Sequence, residues 1–211
     1  MLLQEPIGAL RSASPDVSAK MLRIAILCNH RKLLDLVTQH VISQILWYNT
    51  TSEAIIEIAE AHGLRVLQGA TYYRELINME SFNDHSNIIK PYIPPTMNAE
   101  QRMRFLSAHD SLLNLWDHFR TCPPTLLPSG CLSHAECAMH WEHMWFEAGE
   151  ANETLCCGSA DVLGRLKAVM ISLRKSMCDA PGLTMQCKMS ALEAIAALRD
   201  EIIGGLMDHF I

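Results

Sequence analysis

The chain has 211 residues, 49% of them hydrophobic and 6% aromatic, with 17 Lys and Arg against 23 Asp and Glu for a formal net charge of -6. That length suits one or two globular domains, and the acidic balance excludes a broad phosphate-binding surface, so nucleic acid is not expected as a partner. Eight cysteines fall short of a disulfide scaffold, and no run approaches the roughly 20 apolar residues of a membrane span, so no membrane partner is expected either.

Ser14-Pro15-Asp16 reads as the start of the first helix, with Ser14 as cap, and Val17, Met21, Ile24, Leu27 and Cys28 fall on one side of it. After Asn29-His30, a second helix is expected from Leu33, Leu34, Leu36, Val37, Val41, Ile42, Ile45 and Leu46, closing near Trp47. Ser52-Glu53 opens a third, with stripe Ile55, Ile56, Ile58 and Ala59, and Gly63 ends it. Leu64 to Met79 reads as a fourth, placing Leu67, Ala70, Tyr73 and Ile77 on one face. Asn98 caps a long helix to about Arg120, with Met103, Leu106, Leu113, Trp116 and Phe119 among its apolar members, and Pro123, Pro124 and Pro128 stop it. A Cys/His-rich turn and helix follow from Cys131 to Ala148, then helices from about Ser159 to Met177 and from a Thr184 cap to about His209.

The expected organisation is a flexible N-terminus at 1–13, a helical region at 14–80, a proline-containing linker at 81–97, and a C-terminal helical region at 98–211 that carries the Cys/His-rich segment 131–143. No segment alternates as a strand does, so the fold class is all-α, built of antiparallel helix pairs. The opening MLLQEPIGAL lacks the basic and long apolar parts of a secretory leader, so a cytoplasmic or nuclear address with reduced thiols is expected.

The sharpest local pattern is Cys131-x2-His134-x2-Cys137, followed at the same step by His140 and His143. Thiolate sulfur and imidazole nitrogen suit a tetrahedral Zn2+, so these three residues are candidate ligands of a structural zinc. Residues on a helix turn by about 100° each, so His140 and His143 drift off the face of His134. A fourth ligand would come from Cys122, Cys28, His30 or the Cys156-Cys157 pair. The competing reading makes Cys137 a small buried hydrophobe, His134 a hydrogen-bonded residue at a helix start and Cys131 a turn residue. Cys28, Cys178 and Cys187 fall in or near helical stripes as packing residues, while Trp141 and Trp145 share a face with Cys137 and Ala148 as core anchors. The Gly204-Gly205 pair permits a bend or close packing within the last helix. There is no G-x-S-x-G, no phosphate-cradling glycine loop, no H-E-x-x-H and no recognisable carboxylate pair. No catalytic or cofactor-binding residues are therefore assigned, and an enzyme is not expected.

Several stretches together resemble the helical region that follows the BTB/POZ domain in a large group of fungal BTB/POZ proteins. They are LRIAILCNHRKLLDLVTQHVISQIL, SEAIIEIAEAHGLRVLQGATYYRELINM, FLSAHDSLLNLWDHFRTCPP, GCLSHAECAMHWEHMW, SADVLGRLKAVM and ALRDEIIGGLMDHF. Ala61, His62, Leu64, Leu67, Gly69, Ala70, Tyr72 and Tyr73 match the group's Ala-to-Tyr-Tyr segment, which makes 14–80 a BACK-like helical region. The resemblance spans nearly all of 17–210 and implies a non-catalytic adaptor that contacts other proteins, with homo-oligomerisation or a ubiquitin-ligase link as further implications. The α/β BTB/POZ domain itself has no counterpart in the about 16 residues ahead of the first matching helix, so dimerisation through it does not transfer. Pro91–Pro95 and Thr121–Gly130 are the expected contact segments. The alternative function is a zinc-dependent or thiol-based regulatory module using Cys131, His134 and Cys137.

Overall fold

The computed structural model describes residues 14–50, 52–81, 91–127, 130–179 and 182–211, apart from the side chains of 81, 178 and 179. The expected flexible stretch 1–13, positions 82–90 of the expected linker, the helix-stopping Pro128 and the packing role of Cys178 lie outside them. The described residues are mostly helical, with no strand among them, so the fold is all-α as the periodicity predicts. They divide into two compact units, Met1–Glu75 and Leu76–Ile211.

The first unit holds α1 (Pro15–Leu27), α2 (Arg31–Tyr48), α3 (Glu53–Ala61) and the first part of α4 (Arg65–Ser81). Its turns are set by residues that tolerate positive φ: Asn29 at 48°, Asn49 at 55° and Gly63 at 59°. His30 caps α2, its Nδ1 accepting from the Leu33 amide at 3.2 Å. Asn49 serves twice, ending α2 and accepting from Arg74 Nε on α4 at 2.7 Å. Ser14 stands at the cap position of α1 with Pro15 behind it, yet its side chain makes no capping bond.

The α1 face differs from the expected one. The helix packs on α2 and α3 through Ser18, Ala19, Leu22 and Ala25, with Leu22 at 0% and Ala25 at 1% exposure. Val17, Ile24, Leu27 and Cys28, read from the sequence as one apolar side, are all exposed. Small residues explain the choice, because Ser and Ala let neighbouring helices approach closely while Leu22 fills the gap between them. On α2 the core takes Val37, Val41, Ile42, Ile45 and Leu46 and leaves Leu33 and Leu36 outside. The α4 stripe of Leu67, Ala70, Tyr73 and Ile77 is buried as the sequence predicts.

The second unit begins with the end of α4 and continues through α5 (Ala99–Thr121), α6 (His134–Gly149), the short α7 (Asn152–Leu155), α8 (Val162–Asp179), α9 (Met185–Gly205) and a terminal 3-10 turn at Leu206–Phe210. The last helix thus tightens at the Gly204-Gly205 pair. Asn98 and Gln101 form a reciprocal cap at the start of α5, with Asn98 Oδ1 accepting from the Gln101 amide at 2.8 Å. The buried stripe of α5 is Phe105, Ala108, His109, Leu112 and Trp116, while Met103 and Leu106 are exposed. Phe105 meets Phe210 edge to face at 5.6 Å, and Ser111 pairs with His209 Nδ1 at 2.8 Å, which seats the terminal turn on α5.

Trp141 and Trp145 are buried on α6, with Cys137 and Ala148 on the same face. Each indole donates its N–H to a backbone carbonyl at 2.8 Å, Trp141 to Pro124 and Trp145 to Phe119. The segment after α5 is therefore pinned to the bundle, and Ser190 Oγ accepts from the Leu127 amide at 2.9 Å as a further tie. The described part of the expected linker is held as well: Arg102 donates to the carbonyls of Pro95 at 2.7 Å and Met97 at 2.9 Å.

Candidate functional site

The starts of α6 and α9 bring the Cys/His-rich segment to a single point. Cys131 lies in the turn before α6, His134 is the first residue of that helix, and Cys137 sits one turn further along. Cys131 Sγ and Cys137 Sγ are 3.8 Å apart. The third sulfur is Cys187, in the first turn of α9, and the three Sγ atoms all lie within 4.8 Å of one another. His134 Nδ1 faces Cys187 Sγ at 3.7 Å.

Thr184 joins the cluster from the cap of α9. Its hydroxyl accepts from the Cys187 amide at 3.4 Å, donates to Cys131 Sγ at 3.3 Å, and lies 3.9 Å from Cys137 Sγ. The hydrogen bond from Thr184 draws the Cys131 thiol below its ordinary pKa, whereas burial pushes Cys187 up. Cys137 and Cys187 are buried and Cys131 is half-buried.

Cys187 is buried at the head of the α9 stripe that runs through Ala191, Ile195 and Ile202, as expected of a packing residue, and its sulfur also faces the cluster. A Cys three places after a capping Thr sits at a helix N-terminus, where it can meet other elements as well as its own stripe. The residues weighed from sequence as a fourth ligand sit elsewhere. Cys122 and Cys156 are exposed, Cys157 donates to the Glu153 carbonyl at 3.5 Å, His30 caps α2 and Cys28 is the exposed C-cap residue of α1. His140 and His143 have left the cluster as the helical drift requires. The His140 ring covers Gly182, where a Cβ would come within 2.7 Å of it, and His143 Nε2 lies 3.3 Å from Glu147 on an exposed face.

A second polar group is buried in the same unit. His109 interrupts the apolar stripe of α5 at 2% exposure and needs a partner there; Glu80, at the end of α4, supplies one, with Oε1 3.0 Å from His109 Nε2. Glu80 also accepts from the Ser159 hydroxyl and from the Ala160 amide at 3.1 Å. Burial alone would raise the Glu80 carboxyl, but the bonds from His109, Ser159 and Ala160 outweigh it and hold it low. Burial would likewise lower His109, and Glu80 with Asp110 reverses this and raises it. Through Glu80, His109 and Ser159 this arrangement joins α4, α5 and the approach to α8. Nothing in the sequence periodicity pairs positions 80, 109 and 159.

The third feature is the outward side of α1. Val17, Ile24 and Leu27 are 43%, 57% and 83% exposed, at spacings that keep them along one side of the helix. The exposed positions around them include Lys20 and Arg23, and Arg31 and Lys32 open α2. Lys20 falls within this stripe by helical position, and Asp16 and Asp35 are exposed on the same two helices, so the basic residues outnumber the acidic ones there in a chain whose net charge is negative.

No helix among the described residues is long and apolar enough to cross a membrane. No family model, curated protein or solved structure matches the chain.

Proposed function

We propose that the chain is a non-catalytic helical module that docks another protein, in keeping with its resemblance to the region after a BTB/POZ domain. The observation that carries this reading is the α1 stripe of Val17, Ile24 and Leu27, left in solvent while the opposite face packs on α2 and α3. Exposed large apolar side chains rimmed by charge mark interaction surfaces. The chemistry favours a partner segment that lays an amphipathic helix along α1, with apolar anchors between acidic flanks facing Lys20, Arg23, Arg31 and Lys32.

The test compares partners captured by the wild-type chain with those captured by an Ile24→Asp, Leu27→Asp double variant and by a Lys20→Glu, Arg23→Glu variant. Crosslinking from position 24 then locates the bound segment. Loss of the same partner in both variants, with the crosslink mapped to an acid-flanked helix, supports the reading. Equal capture by all three proteins overturns it.

A further inference from the structure

We propose that Cys131, Cys137 and Cys187, together with His134, form a structural Zn2+ site that clamps the start of α6 to the start of α9.

A tetrahedral zinc with three sulfurs at about 2.3 Å and one nitrogen at about 2.0 Å has S···S edges of about 3.8 Å and S···N edges of about 3.5 Å. Cys131 and Cys137 stand 3.8 Å apart and no two of the three sulfurs are separated by more than 4.8 Å, while His134 stands beside this group of three with its Nδ1 3.7 Å from Cys187. Two of the four residues come from one stretch of chain and one from the turn before it. The fourth, Cys187, comes from a helix 53 residues beyond His134, so the convergence is not a by-product of sequence proximity.

The donor set selects the ion. Three soft thiolates and an imidazole suit zinc, whereas Mg2+ and Ca2+ require oxygen ligands that this cluster does not offer. With His134 closing on the three sulfurs from its place beside Cys187, four protein ligands, two of them buried cysteines, would make the closed shell of a structural rather than a catalytic site. A disulfide uses only two of the three converging sulfurs, and a bond of about 2.05 Å requires Cys131 and Cys137 to close well inside their 3.8 Å separation.

Charge balance agrees. Three thiolates around a divalent cation leave one net negative charge, and each binding thiol gives its proton to solvent. The N-terminal ends of α6 and α9, where peptide dipoles present partial positive charge, both open at this point. Thr184 donates its hydroxyl hydrogen to Cys131 Sγ, orienting that sulfur and carrying part of its charge.

The test uses the full chain, purified after expression with added zinc and freed of loose metal by desalting. Elemental analysis is expected to find equimolar zinc in the wild type and in a Cys122→Ser control. Cys187→Ser should lose most of the metal to a competing chelator that leaves the wild type loaded. His134→Ala should bind more weakly, and Thr184→Val should lose about 10- to 100-fold in affinity. Because a cysteine variant can fail to fold, the wild type is also loaded with Co2+, whose visible bands report tetrahedral coordination and whose near-ultraviolet bands report thiolate bonding. Less than about a tenth of an equivalent of zinc in the wild type overturns the site. So does an octahedral cobalt spectrum, or a Cys187→Ser protein that holds zinc as tightly as the wild type. Unchanged affinity in His134→Ala overturns the assignment of the fourth ligand.

Discussion

Glu80 Oε1 lies 3.0 Å from His109 Nε2, and both side chains are almost wholly withdrawn from water, at 10% and 2% exposure. A charge pair in this setting stabilises only while both members keep their charge, since either one alone is a buried, uncompensated ion.

The pH profile of the second unit follows from the two shifts. Glu80 is held below its ordinary 4.5, so its contribution is present above that value and is lost as pH falls through the lowered folded pKa. His109 is raised above its ordinary 6.5, so its contribution is complete below 6.5 and is lost as pH rises through the raised folded pKa. Thermal melts across pH should therefore place the maximum for this pair between 4.5 and 6.5, with decline on both sides. A His109→Gln variant should flatten the alkaline side of that profile. An alkaline side unchanged by the substitution would remove His109 as its cause.

Breaking the pair from one side should cost more than removing it whole. Glu80→Ala leaves His109 buried without its acceptor and leaves the Ser159 hydroxyl and Ala160 amide without theirs, so a loss of about 3–5 kcal/mol is expected in denaturant unfolding. The combined Glu80→Leu, His109→Leu variant should lose less than the sum of its two single changes.

The two faces of α1 can be told apart by paired truncations. Leu22→Ala removes a fully buried side chain and should cost about 2–5 kcal/mol, whereas Ile24→Ala on the open side should stay within about 0.5 kcal/mol of the wild type. Equal losses would mean that the outward stripe is covered within the chain itself.

Trp141 combines a buried ring with an N–H bonded to the Pro124 carbonyl. Trp141→Phe keeps most of the packing and leaves that carbonyl short of a donor, for an expected loss of about 1–3 kcal/mol. Hydrogen exchange or proteolysis should then report earlier opening of residues 122–127 than of the α8 core.

Much of the fold was legible because burial repeats with the helix period. The stripes of α3 and α4 needed no knowledge of their neighbours, and Asn98, Thr184 and Gly63 act through local geometry that any sequence displays. Periodicity does not choose between two faces of one helix when both are apolar. On α1 the larger residues looked like the core, but Ala19 and Ala25 fit closer against α2 and α3, and only packing decides between size and closeness. The sulfur cluster was half visible for a similar reason. Cys131, His134 and Cys137 announce themselves by spacing, whereas the relation of Cys187 to them exists only in three dimensions. Glu80, His109 and Ser159 carry no motif at all, since each is an ordinary residue until the chain brings them together.

The 53 residues between His134 and Cys187 also impose an order on biosynthesis. On the ribosome, Cys131 and Cys137 emerge and can fold into the start of α6 well before α9 exists, so for that interval they are a close pair of thiols lacking their third sulfur and the Thr184 hydroxyl. The nascent chain is then most exposed to premature crosslinking of these two thiols, and that exposure ends only when the first turn of α9 has left the ribosome.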